Sequence, residues 1–108
     1  MGKQIIELAP FTLKEGYDQQ NLLLLSKELE ENFLTHQQGY LKRVLLQKTE
    51  KEFMDIVYWN SMEEAKTAMD NAMKSKTCAN YFSCMAESES EDPSSVVQHF
   101  SLLESYSI

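Results

Sequence analysis

With 108 residues the chain has room for one hydrophobic core, burying roughly two-thirds of the surface its unfolded form exposes. A formal net charge of −7 argues against nucleic acid and anionic membranes as partners, because both are held by basic faces that displace counterions. The longest aliphatic run, Leu22 to Leu25, is far short of the roughly 20 apolar residues that span a bilayer.

No basic-then-apolar leader opens the chain, so a cytoplasmic location is expected. Residues 4 to 12, "QIIELAPFT", read as a strand broken late by Pro10, which an edge or a strand end tolerates. From Tyr17 to Thr35 the apolar residues Leu22, Leu25, Leu29 and Phe33 recur every three or four positions, which predicts an amphipathic helix with Lys27, Glu28, Glu30 and Glu31 outward. "HQQGY" ends it, with Gly39 free to take positive φ.

Two β-rich runs, Tyr40 to Lys48 and Glu52 to Trp59, flank the short turn "TEK" and predict a hairpin. "NSMEEA" then starts a second helix, capped by Asn60 or Ser61, with a stripe of Met62, Ala65, Met69, Ala72 and Met73. A short helix over 75 to 86 carries Cys78, Tyr81, Phe82 and Met85, and the acidic run 87 to 95 reads as an exposed loop. Cys78 and Cys84 lie six apart on different faces of that helix, which predicts partly buried, reduced thiols and neither a disulfide nor a metal clip. "SVVQHFSLLESY" reads as a closing strand.

The element order is β-α-β-β-α-β in a single domain, an α+β ferredoxin-like unit with a four-stranded antiparallel sheet and helices on one side. Alternation puts Phe53, Val57 and Trp59 on one face of the third strand and Met54, Ile56 and Tyr58 on the other. Both faces are apolar, while helices can cover only one. A homodimer packed sheet against sheet is therefore expected.

The element order, "GYL" at Gly39 to Leu41, "YWNSMEEA" with Trp59, and "HFSLLESY" resemble the antibiotic-biosynthesis monooxygenase family, whose members form dimeric α/β barrels. The resemblance runs from about residue 4 to residue 106. It implies a pocket between sheet and helices in which small aromatic or quinol-type substrates are oxygenated without a dedicated flavin or metal. Trp59 matches the family tryptophan that lines this pocket. The haem-degrading branch has an asparagine on the first strand and a haem-ligating histidine on the second helical segment; "ELAPF" and "KSKTCANYFSCM" contain neither, so no cofactor is expected.

On this reading His99 and Trp59 are the candidate catalytic pair, and Trp59, Tyr81, Phe82, Met62 and Asn80 the candidate pocket wall. His99 stands in an otherwise apolar strand, where an imidazole can act as a general base or serve as a hydrogen-bonded core residue. Trp59 is equally a core residue fixing the turn into the helix. Glu7 and Asp55 fall on adjacent strands and can approach each other or share Arg43 across a dimer; the commoner role of such charges is a solvated edge or an interface pair. His36 is expected to complement a helix dipole. No phosphate loop, dinucleotide fingerprint, nucleophile motif or zinc spacing occurs. The alternative function is a non-catalytic homodimer that binds a small hydrophobic ligand or a protein partner.

Overall fold

The computed structural model describes residues 3–86 and 97–108; the expected acidic loop at 87 to 95 and Val96 lie outside the described residues. Strands β1 (Ile5–Thr12), β2 (Tyr40–Gln47), β3 (Glu52–Trp59) and β4 (Gln98–Ser101) form an antiparallel sheet in the order β2-β3-β1-β4. Helices α1 (Gln19–Asn32), α2 (Met62–Ala72) and α3 (Lys76–Phe82) complete the α+β ferredoxin-like fold expected from the pattern.

Helix α1 begins two residues later than its stripe suggests because Asp18 caps it: the Asp18 carboxylate accepts from Asn21 N–H at 2.8 Å, and the Asn21 side chain accepts from Asp18 N–H at 3.0 Å. This reciprocal cap satisfies two of the orphan amides of the first turn. Leu22, Leu29 and Phe33 are buried as the periodicity requires. The chain then tightens into a 3-10 turn, Leu34–His36, where His36 is exposed. Gly39 takes φ +83°, and a Cβ there would collide with the Glu64 side chain, so the close approach of α2 requires glycine as well as the turn does.

Two sequence expectations are corrected. In α2 the buried residues are Ala65 and Ala68, whereas Met69 is exposed and Met73 is 82 % exposed. The small alanines let the helix lie close to the sheet and leave the long methionines outside. The closing strand is only four residues long, pairing Gln98–Ser101 with Leu8–Ile5, and Leu103 and Tyr106 extend past it exposed.

Helix α3 is part of the core. It packs beside α1, and its Cys78 and Tyr81, with Cys84 just past its end, are at essentially zero exposure, deeper than the partial burial expected of the thiols. Backbone bonds from Lys14 N–H to Cys84 O (2.8 Å) and from Ala86 N–H to Thr12 O (2.8 Å) tie its end to the end of β1. Both cysteines are free, and burial pushes both thiols up from their ordinary value, so they stay protonated packing groups.

The face of the sheet turned away from the helices carries Ile6, Leu8, Val44, Met54, Ile56 and Phe100 and has no covering layer among the described residues. No helix among the described residues is long and apolar enough to cross a membrane.

Candidate functional site

Trp59 ends β3, where the Asn60 N–H bonds back to Gly39 O at 2.8 Å and Ser61 caps α2 through Glu64 N–H. The indole thus stands at the strand-to-helix junction, pointing toward the helices, 3 % exposed and edge-on to Tyr40 at 5.8 Å. Strand pairing decides what meets it. Glu7 lies directly opposite His99 across β1 and β4, and diagonal to Trp59 across β1 and β3, since Ile5 pairs with Trp59. Both spacings are within reach of a glutamate side chain.

The result is a three-residue cluster. Trp59 Nε1–H donates to Glu7 Oε1 at 3.1 Å, and His99 Nε2 lies 3.1 Å from the same oxygen. An indole only donates, so Glu7 Oε1 is its acceptor, and Nε2 is the His99 ring nitrogen that faces the same oxygen. The Glu7 and His99 side chains keep 19 % and 14 % exposure, so the cluster is partly open where these two meet, with Trp59 closed behind them.

Deeper under α1 and α3 lies a second polar cluster. Arg43 reaches Glu30 through Nε (3.3 Å), Asp55 through Nη1 (3.3 Å) and the Ser26 carbonyl through Nη2 (2.9 Å). Its guanidinium sits 5.6 Å from the centre of the Tyr81 ring, whose hydroxyl donates to Asp55 at 2.6 Å. Tyr40 donates to both Glu30 oxygens at 2.8 and 2.7 Å. Desolvation pushes the Asp55 carboxyl up from its ordinary value, against the opposing pull of Arg43 and the Tyr81 bond. Desolvation first, and the neighbouring carboxylates after it, push the Tyr40 and Tyr81 hydroxyls up, so both remain donors. Among the described residues no buried side-chain nitrogen or oxygen lacks a partner.

Arg43 therefore pairs with Asp55 within its own chain, and Asp55 and Glu7 join separate clusters. A bulge at Leu41 makes this possible, because it lets Tyr40 and Arg43 face the helices together although they are three residues apart. Simple alternation assigns them to opposite faces.

The structure brings His99 and Trp59 together, but the remaining candidates disperse. Tyr81 is spent on Asp55, Met62 is half-buried against the core, Asn80 is exposed, and Phe82 is 48 % exposed. A hollow of about 640 Å³ lies elsewhere, between His36–Gln38 and one side of α2 from its N-cap to Asn71; another of about 200 Å³ lies between α1 and the ends of β2 and β3. Trp59 lines neither hollow. Sequence reading singled out Glu7 but not its role as the shared acceptor, which depends on two strand registers at once. Among the described residues, no three His, Cys, Asp or Glu side chains are placed to hold a metal ion.

No protein-family model matches this sequence, and no curated protein sequence matches it. Solved structures do match. SnoaB, a cofactor-independent oxygenase from Streptomyces nogalater, superposes with TM-score 0.72 at 10 % identity, over 95 % of this chain and 96 % of that one. A candidate antibiotic biosynthesis monooxygenase from Bordetella bronchiseptica gives 0.68 at 13 % identity, over 94 % and 99 % of the two chains. A dimeric ferredoxin-like protein of unknown function from Thermobifida fusca gives 0.68 at 12 % identity, over 94 % and 93 %. At such identities the likeness establishes architecture, and the chain has the ferredoxin-like fold of the antibiotic biosynthesis monooxygenases.

Proposed function

We propose that this protein is a cofactor-independent monooxygenase that acts, as a homodimer, on a small aromatic or quinol-type substrate. The observation that carries the reading is the meeting of Trp59 and His99, forty residues apart in sequence, at one carboxylate oxygen on the helix side of the sheet. In this reading His99 takes the proton of an acidic hydroxyl or ring carbon, and the resulting anion supplies the electrons to dioxygen. For a doubly benzylic CH2 the balance is CH2 plus O2 giving C=O plus H2O. One oxygen atom enters the product, the other leaves as water, and the substrate is the only reductant. Placement next to the apolar indole supplies the remaining effect, since the protein contributes few reacting groups.

The test is oxygen uptake with anthrone-like and dihydroxynaphthalene-like compounds. Uptake above the protein-free rate that falls about tenfold or more in Trp59→Phe, a loss of at least about 1.4 kcal/mol in transition-state stabilisation, supports the reading. Uptake equal to the protein-free rate across the panel overturns it for these classes.

A second reading, a non-catalytic dimeric binding module, is favoured by the closure of Trp59 and the placement of both hollows away from it. It predicts saturable binding of the same compounds without turnover. Either reading uses the apolar outer face of the sheet as the dimer contact, so Ile56→Lys is expected to give monomers or aggregates in sedimentation. A wild-type monomer removes the dimer from both.

A further inference from the structure

We infer that Glu7 is a positioning residue that sets which nitrogen of His99 is basic. This rests on the oxygenase reading for its catalytic consequence, though not for its geometry. Glu7 Oε1 is fixed by three constraints: the β1–β4 register that puts Glu7 opposite His99, the β1–β3 register that puts it diagonal to Trp59, and the indole N–H that holds the oxygen at 3.1 Å. A carboxylate oxygen anchored by a pure donor is a poor partner for an unprotonated Nε2, because two acceptor lone pairs would then face each other at 3.1 Å. The Nε2–H tautomer is thereby selected, and Nδ1 carries the lone pair.

Trp59 anchors the carboxylate, the carboxylate orients the imidazole, and an incoming molecule meets the cluster on the side where Glu7 and His99 together keep partial exposure. A weakly acidic hydroxyl arriving there loses its proton to Nδ1. The O–H bond breaks, an N–H bond forms, and the electron pair stays on the substrate oxygen. The imidazolium then faces the Glu7 carboxylate through Nε2–H, so the charge formed in this step is met by one already in place. Trp59 in this account contributes through Glu7 as well as through its own surface. His99 sits in the shortest strand of the sheet, at its edge, where backbone pairing alone holds a side chain least firmly. The carboxylate supplies the fixing that β4 does not.

The experiment is long-range 1H–15N correlation of the two imidazoles in the full chain, with His99 assigned by comparison with His99→Gln, beside oxygen uptake by wild type, Glu7→Gln and Glu7→Leu. The expected result has four parts. Wild-type His99 shows a protonated Nε2 and an unprotonated Nδ1, in contrast to the exposed His36, which averages between tautomers. Glu7→Leu loses that bias. It also lowers uptake by about tenfold to a hundredfold, mainly in kcat, as expected when a general base is left unoriented. Glu7→Gln, which keeps an acceptor oxygen in place, retains the tautomer and recovers part of the rate. A wild-type His99 that carries its proton on Nδ1, or averages as His36 does, overturns the inference, and this measurement stands even where Glu7→Leu fails to fold. So does a folded Glu7→Leu with unchanged uptake and tautomer. If the wild type shows the expected tautomer yet consumes no oxygen with any substrate, the oxygenase reading fails and the positioning of His99 by Glu7 stands.

Discussion

The helix-facing side of the sheet holds two polar clusters of different design. The Arg43–Asp55–Tyr81 cluster is closed: Arg43 and Asp55 have side-chain exposures of 6 % and 8 %, Tyr81 is buried, and each is engaged by partners from another element. The Glu7–Trp59–His99 cluster is smaller, is built from strands alone, and opens toward solvent at its edge. Such a difference separates a group that fastens layers together from one that can meet a ligand. A buried charge with every bond directed inward resists change, while one with an open side can exchange partners.

The closed cluster should respond most strongly in stability. Asp55→Leu leaves Arg43 buried with half of its counter-charge and is expected to cost about 3–5 kcal/mol in urea unfolding, whereas the Arg43→Met/Asp55→Leu double variant should recover much of that loss. A double variant as unstable as the sum of the singles would mean that the cluster is not a unit. Tyr81→Phe removes the shortest bond to Asp55 and should cost about 1–3 kcal/mol, read in the same way. The Glu7 variants of the open cluster should show the reverse balance, with oxygen uptake changing more than the unfolding midpoint.

The smallest effect is in pH dependence. The Asp55 carboxyl is raised in the folded chain, so between its unfolded value of about 3.9 and its higher folded value the native state binds the additional proton. The Asp55 contribution is therefore most favourable below the unfolded value and is lost as pH rises through the folded value. The stability of wild type minus that of Asp55→Asn should fall with increasing pH across this window. A difference that grows with pH would show that Arg43 outweighs desolvation.

Which parts of this were legible beforehand follows from the range of the interactions involved. The α1 stripe of Leu22, Leu29 and Phe33, the hairpin, the cap at Ser61 and the positive φ of Gly39 depend on residues within a few positions of one another, and they are found where periodicity and turn chemistry place them. The apolar outer face was legible for the same reason, since alternation along a strand is local. Trp59 and His99 could be singled out by residue type and by the family resemblance.

What joins them could not be read in this way. The acceptor Glu7 meets its partners through two registers set by the whole sheet, and Arg43 reaches its partners because a bulge at Leu41 reverses the local alternation. Met69 and Met73 likewise obey helical spacing yet remain exposed, while Ala65 and Ala68 are the residues of this helix that are buried. Local periodicity determined the elements and their inward faces, since each is fixed by backbone geometry over one or two turns. Tertiary structure decided which charges share a partner, because that depends on strand register and layer spacing, quantities that no short stretch of sequence contains.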